Sequence, residues 1–278
     1  MKADLHIHTT HSDGTKTVKE IIDLASQNGL DVLAITDHDI CREADFAKQY
    51  AASKGLRFIP GVELSTLHQN KSVHVLGYFM KDGFKSESMK QYYKMIKEGR
   101  ELRTHKFIEN LKTYFDIEIT YESVVAFSRG IIARPHIAMA IQQQYPKYSF
   151  DYIFENFIGD QSKAYVPSTQ LPVAEGVALL RRNGAIAVLA HPVLLKDHIR
   201  DEVLAMDFDG IEAKYYRNQE GDEQTYRDYA KTHGIIITAG SDYHGIENDT
   251  KHGVVGTVFM DGEDTKEFLD ALQGKVIL

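Results

Sequence analysis

The sequence predicts an α/β body built like a barrel and interrupted by a helical insertion. Three observations carry this. Short apolar or β-branched runs alternate with helical stretches over the first third of the chain, and the same rhythm returns after residue 164. Between them, residues 83–163 are long, charged and helical, without a β-branched run that would make a core strand.

In chain order, residues 2–8 read as a strand and 17–28 as an amphipathic helix. Thr17 and Glu20 are spaced as a capping box, and Gly29 supplies the stop. Residues 32–36, 57–63 and 72–78 are further strands, with a helix over 42–53 between the first two; such alternation points to parallel strands. The insertion carries helices over 87–112 and, rich in aromatics, 148–157. Then follow a helix over 173–183, strands over 185–190 and 210–213, a helix over 222–233 and a strand over 235–240. Residues 1–82 and 164–278 would thus form one body and 83–163 a separate helical unit, with no internal repeat or low-complexity tract.

A chain of 278 residues with 43% hydrophobic content can bury a sizeable core. It contains no apolar run long enough to span a bilayer, and it reaches Asp4, His6 and His8 where a signal segment would be apolar. The expectation is a soluble, untargeted, cytoplasmic protein with no membrane partner. The single cysteine, Cys41, excludes an internal disulfide framework and leaves any metal site to His and carboxylate ligands. A net charge of -8 argues against a basic nucleic-acid coat protein. A small anionic substrate remains open, because bound cations would set the local potential.

His6 and His8 stand two apart on a strand, so both side chains leave one face. Asp13 follows in His11-Ser12-Asp13-Gly14, which by itself is also an ordinary turn signal. The next strands end in Thr36-Asp37-His38-Asp39 and Gly61-Val62-Glu63-Leu64, and a fourth contains His74. Two later strands end in Ala190-His191-Pro192 and Gly240-Ser241-Asp242-Tyr243-His244. In parallel α/β sheets the C-terminal strand edge is where sites collect. One such histidine is unremarkable; a whole set would be costly as buried structure, since an unpaired buried charge is disfavoured. A shared set of cations removes that cost, and imidazole with carboxylate but no thiolate suits Zn, Mn or Fe.

In this order the motifs resemble the PHP (polymerase and histidinol phosphatase) superfamily. The resemblance implies a distorted (β/α)7, TIM-like barrel with two or three divalent metal ions at the C-terminal strand ends. Carried over by position, His6, His8, Glu63 and Asp242 would hold one ion; Glu63 would bridge to a second held by His74 and His191; Asp13, His38 and His244 would hold the third. The insertion is similar to that of small bacterial phosphoesterases acting on nucleotides, including 3',5'-bisphosphonucleosides and short RNA ends, and Arg134-Pro135-His136 matches their segment. Pro135 suits a first helical turn, so Arg134 and His136 would flank a helix N-terminus that favours anions, making the insertion a substrate cap with a phosphate clamp. The alternative is that Arg134 only pairs with an insertion carboxylate such as Glu155.

The expected activity is hydrolysis of nucleotide phosphate esters by a metal-bound hydroxide, since a divalent ion lowers the pKa of water from about 15.7 towards about 7. Charge on the phosphoryl oxygens would fall to the ions and Arg134. His191, His136 or the third ion could serve the leaving oxygen, and Arg217, just past a strand at the site rim, is a further substrate contact. Asp37 would either orient a ligand histidine or cap the following helix. Alternatives are a histidinol-phosphate phosphatase and a non-catalytic metal- or nucleotide-binding module; no obligate protein partner is inferred. Tyr92 and Tyr93, with Met89 and Met95, could stack bases or pack helices. Lys94, Lys97 and Arg100 read as a solvated face, His11 as a loop residue, and His68, His105, His198, His233 and His252 as solvated.

Overall fold

The computed structural model describes residues 1–128, 130–167 and 170–274. The chain runs β1 (Ala3–Asp4), α1 (Val18–Gln27), β2 (Val32–Ile35), α2 (Ala44–Ser53), β3 (Arg57–His68) and β4 (Lys71–Phe79). Four helices follow: α3 (Glu87–Phe115), α4 (Tyr121–Val125), α5 (Arg134–Gln144) and α6 (Phe150–Ile153), the last running into a π turn over Phe154–Ile158. The remainder is β5 (Leu171–Pro172), α7 (Val173–Arg182), β6 (Ala185–Leu189), α8 (Asp197–Leu204), β7 (Gly210–Tyr215), α9 (Asp222–His233), β8 (Ile236–Gly240) and α10 (Gly262–Leu272).

The sheet order is β1-β2-β3-β4-β6-β7-β8, with β5 paired to β3. Its two ends meet: Leu5 N–H donates to the Ala239 carbonyl at 3.0 Å and His8 N–H to the Tyr243 carbonyl at 2.9 Å. The result is the distorted seven-stranded barrel that the resemblance implies. Alternation sorts the side chains. Leu33 and Ile35 of β2 join the core under the outer helices, whereas Val32 and Ala34 join Leu76, Tyr78 and Val188 in a second cluster. Phe268 of α10 packs edge-on against Tyr78, at the end of β4 remote from His74. No described helix is long and apolar enough to cross a membrane.

The capping box forms as read: the Thr17 side chain accepts from Glu20 N–H while Glu20 accepts from Thr17 N–H, and α1 buries Val18, Ile21, Ile22 and Ala25. Three expectations need correction. The strand over residues 2–8 keeps a ladder only at Ala3–Asp4, continuing as extended backbone with a single bridge from Ile7 to Tyr243. β4 is not parallel but antiparallel to both β3 and β6. Gln69 and Asn70, both at positive φ (47° and 61°), make a two-residue hairpin turn in which no glycine signals the reversal. Consequently His74 lies near the start of its strand, which shares an edge with the ends of the parallel ones. Glu63, finally, sits in the middle of β3, which runs on to His68.

Between β4 and β5 the helices enclose their own apolar cluster, including Phe107, Leu111, Ile137, Ile141 and Phe157. α3 joins both regions, because Met89, Tyr92 and Ile96 from its first half pack into the barrel core.

Barrel closure leaves no room at Gly240, where a Cβ would stand 2.2 Å from the His6 Cβ and 2.6 Å from its backbone nitrogen. Gly240→Ala should therefore destabilise the fold by about 1–3 kcal/mol in urea titrations. Gly262→Ala, whose Cβ would approach nothing nearer than 3.7 Å, should be silent; equal stability of the two variants would contradict the close approach.

Candidate metal centre and substrate cavity

The nine sequence-picked residues from His6 to His244 converge on one spot. His6 Nε2 lies 3.4 Å from Glu63 Oε2 and 3.3 Å from Asp242 Oδ1; His8 Nε2 lies 3.2 and 3.1 Å from the same two oxygens. An ion with ligands at about 2.1 Å separates neighbouring donors by roughly 3.0 Å in an octahedral shell and roughly 3.4 Å in a tetrahedral one. The spacing is therefore that of donors sharing a cation. The other Glu63 oxygen, Oε1, lies 2.8 Å from His74 Nδ1 and 3.0 Å from His191 Nε2. A further group comprises His8, Asp13, His38 and His244, with His244 Nε2 3.3 Å from Asp13 Oδ1.

Whether these residues fit cations is answered by their unmet polar atoms. His6 Nε2, His8 Nε2, Asp13 Oδ1, His38 Nδ1, Glu63 Oε2 and His74 Nδ1 are buried without a hydrogen-bond partner. Each would cost about 1–3 kcal/mol if left so. They all face the same small volume, and divalent ions are the group that this donor set fits. Burial pushes the Glu63, Asp13 and Asp242 carboxyls up, but the imidazoles around them prevail and hold all three well below the carboxylate range. Burial likewise pulls His8 down, yet Asp242 and Glu63 raise it to about 10. Protons and cations thus compete for the same atoms.

Around the donors stands a shell that orients them. Glu212, fully buried on β7, takes a hydrogen bond from His6 Nδ1 at 3.0 Å and from His191 N–H at 2.7 Å, which turns the His6 Nε2 lone pair inward. Glu212 is not signalled by any motif; in the sequence it is a lone acid inside the apolar run Gly210-Ile211-Glu212-Ala213. Asp37 caps no helix; it supports His8 indirectly, through Ser12 Oγ, which lies 3.3 Å from His8 Nδ1. It accepts from Thr9 N–H (2.7 Å), Thr9 Oγ1 (2.6 Å) and Ser12 Oγ (2.6 Å), fastening the loop that delivers Asp13. Tyr215 donates to Asp242 Oδ2 at 2.9 Å. His191 and Asp242 hold positive φ (27° and 52°), strained backbone at two of the donors.

Other readings change too. Arg100 is no solvated residue: its guanidinium pairs with buried Asp39 and donates to Ser65 Oγ at 3.0 Å and the Ile132 carbonyl at 3.1 Å. Tyr92 is packed, its hydroxyl on Asp39 at 2.7 Å, so it offers no stacking face. His252 is also not solvated; it stacks on His244 with centroids 4.1 Å apart and holds Asp249 at 2.6 Å. Arg134 does pair with an insertion carboxylate, as the alternative reading has it, although the partner is Asp160 at 2.6 Å and not Glu155. His136 is buried, and its Nδ1 accepts from Ala133 N–H at 2.9 Å, so the ring caps its own helix and carries its proton on Nε2. His11 lies by Glu43, His68 by Glu202, and His105 on Tyr121.

The cluster opens into a cavity of about 690 Å³. Asp13, His38, Glu63 and His74 line its floor; Arg100, Arg103 and Arg134 line the insertion side, and Arg217 stands at the barrel rim.

Two outcomes follow from this geometry. Glu212→Gln should weaken metal binding by about 10- to 100-fold in a chelator-competition titration, with the fold intact; unchanged affinity would remove its orienting role. Because Asp242 and Glu63 hold the His8 imidazole above its ordinary pKa in the cation-free cluster, metal uptake should release protons and affinity should rise with pH. Indicator dye in weak buffer reads this directly, and uptake without acidification would contradict it.

Comparison with known proteins agrees with the geometry. Residues 4–156 match the PHP domain. A 5'-3' exoribonuclease of Haemophilus influenzae is 28% identical over 252 residues, spanning 87% of this chain and 90% of its own. A 3',5'-nucleoside bisphosphate phosphatase of Chromobacterium violaceum is 27% identical over 249 residues, spanning 87% and 86%. A metal-dependent phosphoesterase structure from Bifidobacterium adolescentis is similar with a TM-score of 0.82 and 28% identity, covering 96% of this chain and 95% of its own. The chain belongs to the PHP-domain family and is a metal-dependent hydrolase of phosphoric esters.

Proposed function

We propose that this enzyme hydrolyses phosphate esters of nucleotides: nucleoside monophosphates, 3',5'-bisphosphates and the ends of short RNA. The observation that carries the reading is that one cavity joins the donor cluster to an arginine wall in which Arg103 and Arg134 keep unspent donors, Arg100 being held by Asp39. Such a wall fits a substrate with more than one anionic group. It also agrees with the two relatives, one named for a nucleoside bisphosphate and one for RNA.

In this reading His6, His8, Glu63 and Asp242 hold one ion, His74 and His191 share Glu63 to hold a second, and Asp13, His38 and His244 hold a third. Bound there, divalent ions supply positive charge for the phosphoryl oxygens and lower the pKa of water at neutral pH. The chain's own residues do the rest. Arg134 spends Nη1 on Asp160, and its remaining donors have no partner among the described residues. Among the described residues Arg103 donates only Nε, to the Val166 carbonyl, while its guanidinium lies over the Phe107 and Tyr165 rings. Burial, aided by Arg134 and Arg100, lowers Arg103 to about 10. An anion in the cavity relieves that crowding of cations and takes the free donors. The insertion then acts as a cap over the barrel edge, and His136 serves it by fixing the helix start from which Arg134 projects.

The test is a substrate panel assayed with Mn: nucleoside monophosphates, adenosine 3',5'-bisphosphate, 5'-phosphorylated short RNA and histidinol phosphate. A nucleotide should show the highest kcat/KM, and preference for histidinol phosphate would overturn the assignment. Chelation should abolish turnover and Mn should restore it. Arg134→Ala should lower kcat/KM by about 100-fold, as loss of one charge-stabilising donor does, with Arg134→Lys recovering part. An unaffected Arg134→Ala enzyme would remove the clamp.

A further inference from the structure

The cavity has an apolar side that the phosphate chemistry does not use. Phe150 and Phe154 occupy successive turns of the insertion, their ring centroids 5.0 Å apart at 40°. Both line the cavity, beside Met139 of α5. They are half-buried, whereas Ile153, Phe157 and Ile158 from the same stretch are buried in the insertion core. Each ring rests one side on that core and leaves the other to the cavity. The π turn that begins at Phe154 is a backbone irregularity that recurs at functional sites, and here it falls where the helix meets the cavity.

Three explanations of the pair can be separated. If its task were packing, the rings would be enclosed as Phe157 is. If it docked another protein, it would face outward, away from the donor cluster. Instead it shares a cavity with Glu63 and Arg134, so an occupant must carry an anionic end and a flat apolar end together. A cavity of about 690 Å³ has the size of ordinary ligand pockets, roughly 300–1,000 Å³, and is larger than a phosphate alone requires. Across its mouth Lys251 reaches Asp151, the neighbour of Phe150, at 3.2 Å, which ties this apolar side to the barrel loop after His244.

We propose that Phe150 and Phe154 form the nucleobase site of the enzyme, the rings providing a stacking face for a purine or pyrimidine while its phosphate reaches the donor cluster. Stacking tolerates any base, because every base has a π face, so the site selects nucleotides as a class. It rests on the nucleotide reading above and gives that reading a residue-level cause. It also moves the stacking surface from Tyr92, which is sealed against Asp39, to the far side of the cavity.

The experiment compares kcat/KM for adenosine 3',5'-bisphosphate with that for the same ribose bisphosphate lacking the base, in the Mn-loaded enzyme and its Phe150→Ala, Phe154→Ala and Phe154→Tyr variants. The base-bearing substrate should lead in the wild type. Each Ala variant should shrink the ratio by roughly 5- to 100-fold, mainly through KM, and Phe154→Tyr should keep it. A ratio untouched by either Ala variant overturns the base site while leaving the nucleotide phosphoesterase standing. Equal loss on both substrates, without rescue by Phe154→Tyr, assigns the rings to packing and overturns it as well. If the wild type turns over histidinol phosphate and neither ribose substrate, the underlying reading falls and takes this inference with it.

Discussion

The carboxylate of Glu63 is the constraint on which the rest of the molecule depends. It is buried, and within 3.4 Å of its two oxygens stand nitrogens of His6, His8, His38, His74 and His191. One buried acid among five imidazoles needs positive charge beside it, which protons or shared cations can supply. The barrel holds the acid there from both sides. Glu63 N–H donates to the Asp37 carbonyl, Glu63 accepts from Asp39 N–H, and across the hairpin it registers with Leu76, which brings Ser65 opposite His74. Shifting β3 by one residue would turn Glu63 to the opposite face and disperse the centre.

From that point the architecture reads outward. β1, β2, β6 and β8 each lead to donors on the same edge, and the shell of Glu212, Asp37 and Tyr215 orients them. The two strained residues, His191 and Asp242, both belong to the converging cluster, so the backbone is bent where their side chains are aimed into it. The insertion contributes charge and apolar surface from above. α3 links the halves physically, because Arg100 on it grips Asp39 next to the donor His38.

Much of this is legible in the amino-acid order, and the part that is not has physical reasons. Ionisable residues beside apolar runs stand out, and the ordered resemblance to the PHP motifs completes the nine converging side chains, including Asp13, which by itself reads as a turn. Glu212 escapes because it lies inside a strand, where a lone acid has the same appearance as an outward-facing polar position. Arg100 escapes because charges at helical spacing describe a solvated face equally well; only the packing of Tyr92 and Ile96 shows which way the helix is turned. His252 is carried to the site by a loop that has no periodicity to read. The reversal into β4 is silent because Gln69 and Asn70 adopt the left-handed turn without a glycine. His136 has a role the motif does not announce: its Nδ1 accepts from Ala133 N–H and fixes the helix start.

The central claim is that one bridging acid organises more than one cation. Anomalous scattering from crystals of Mn-loaded protein, wild type beside Glu63→Ala, tests it most directly. The account predicts two or three discrete peaks at the cluster in the wild type, with those flanking Glu63 lost together in the variant. A single peak, or peaks that survive removal of Glu63, would contradict it.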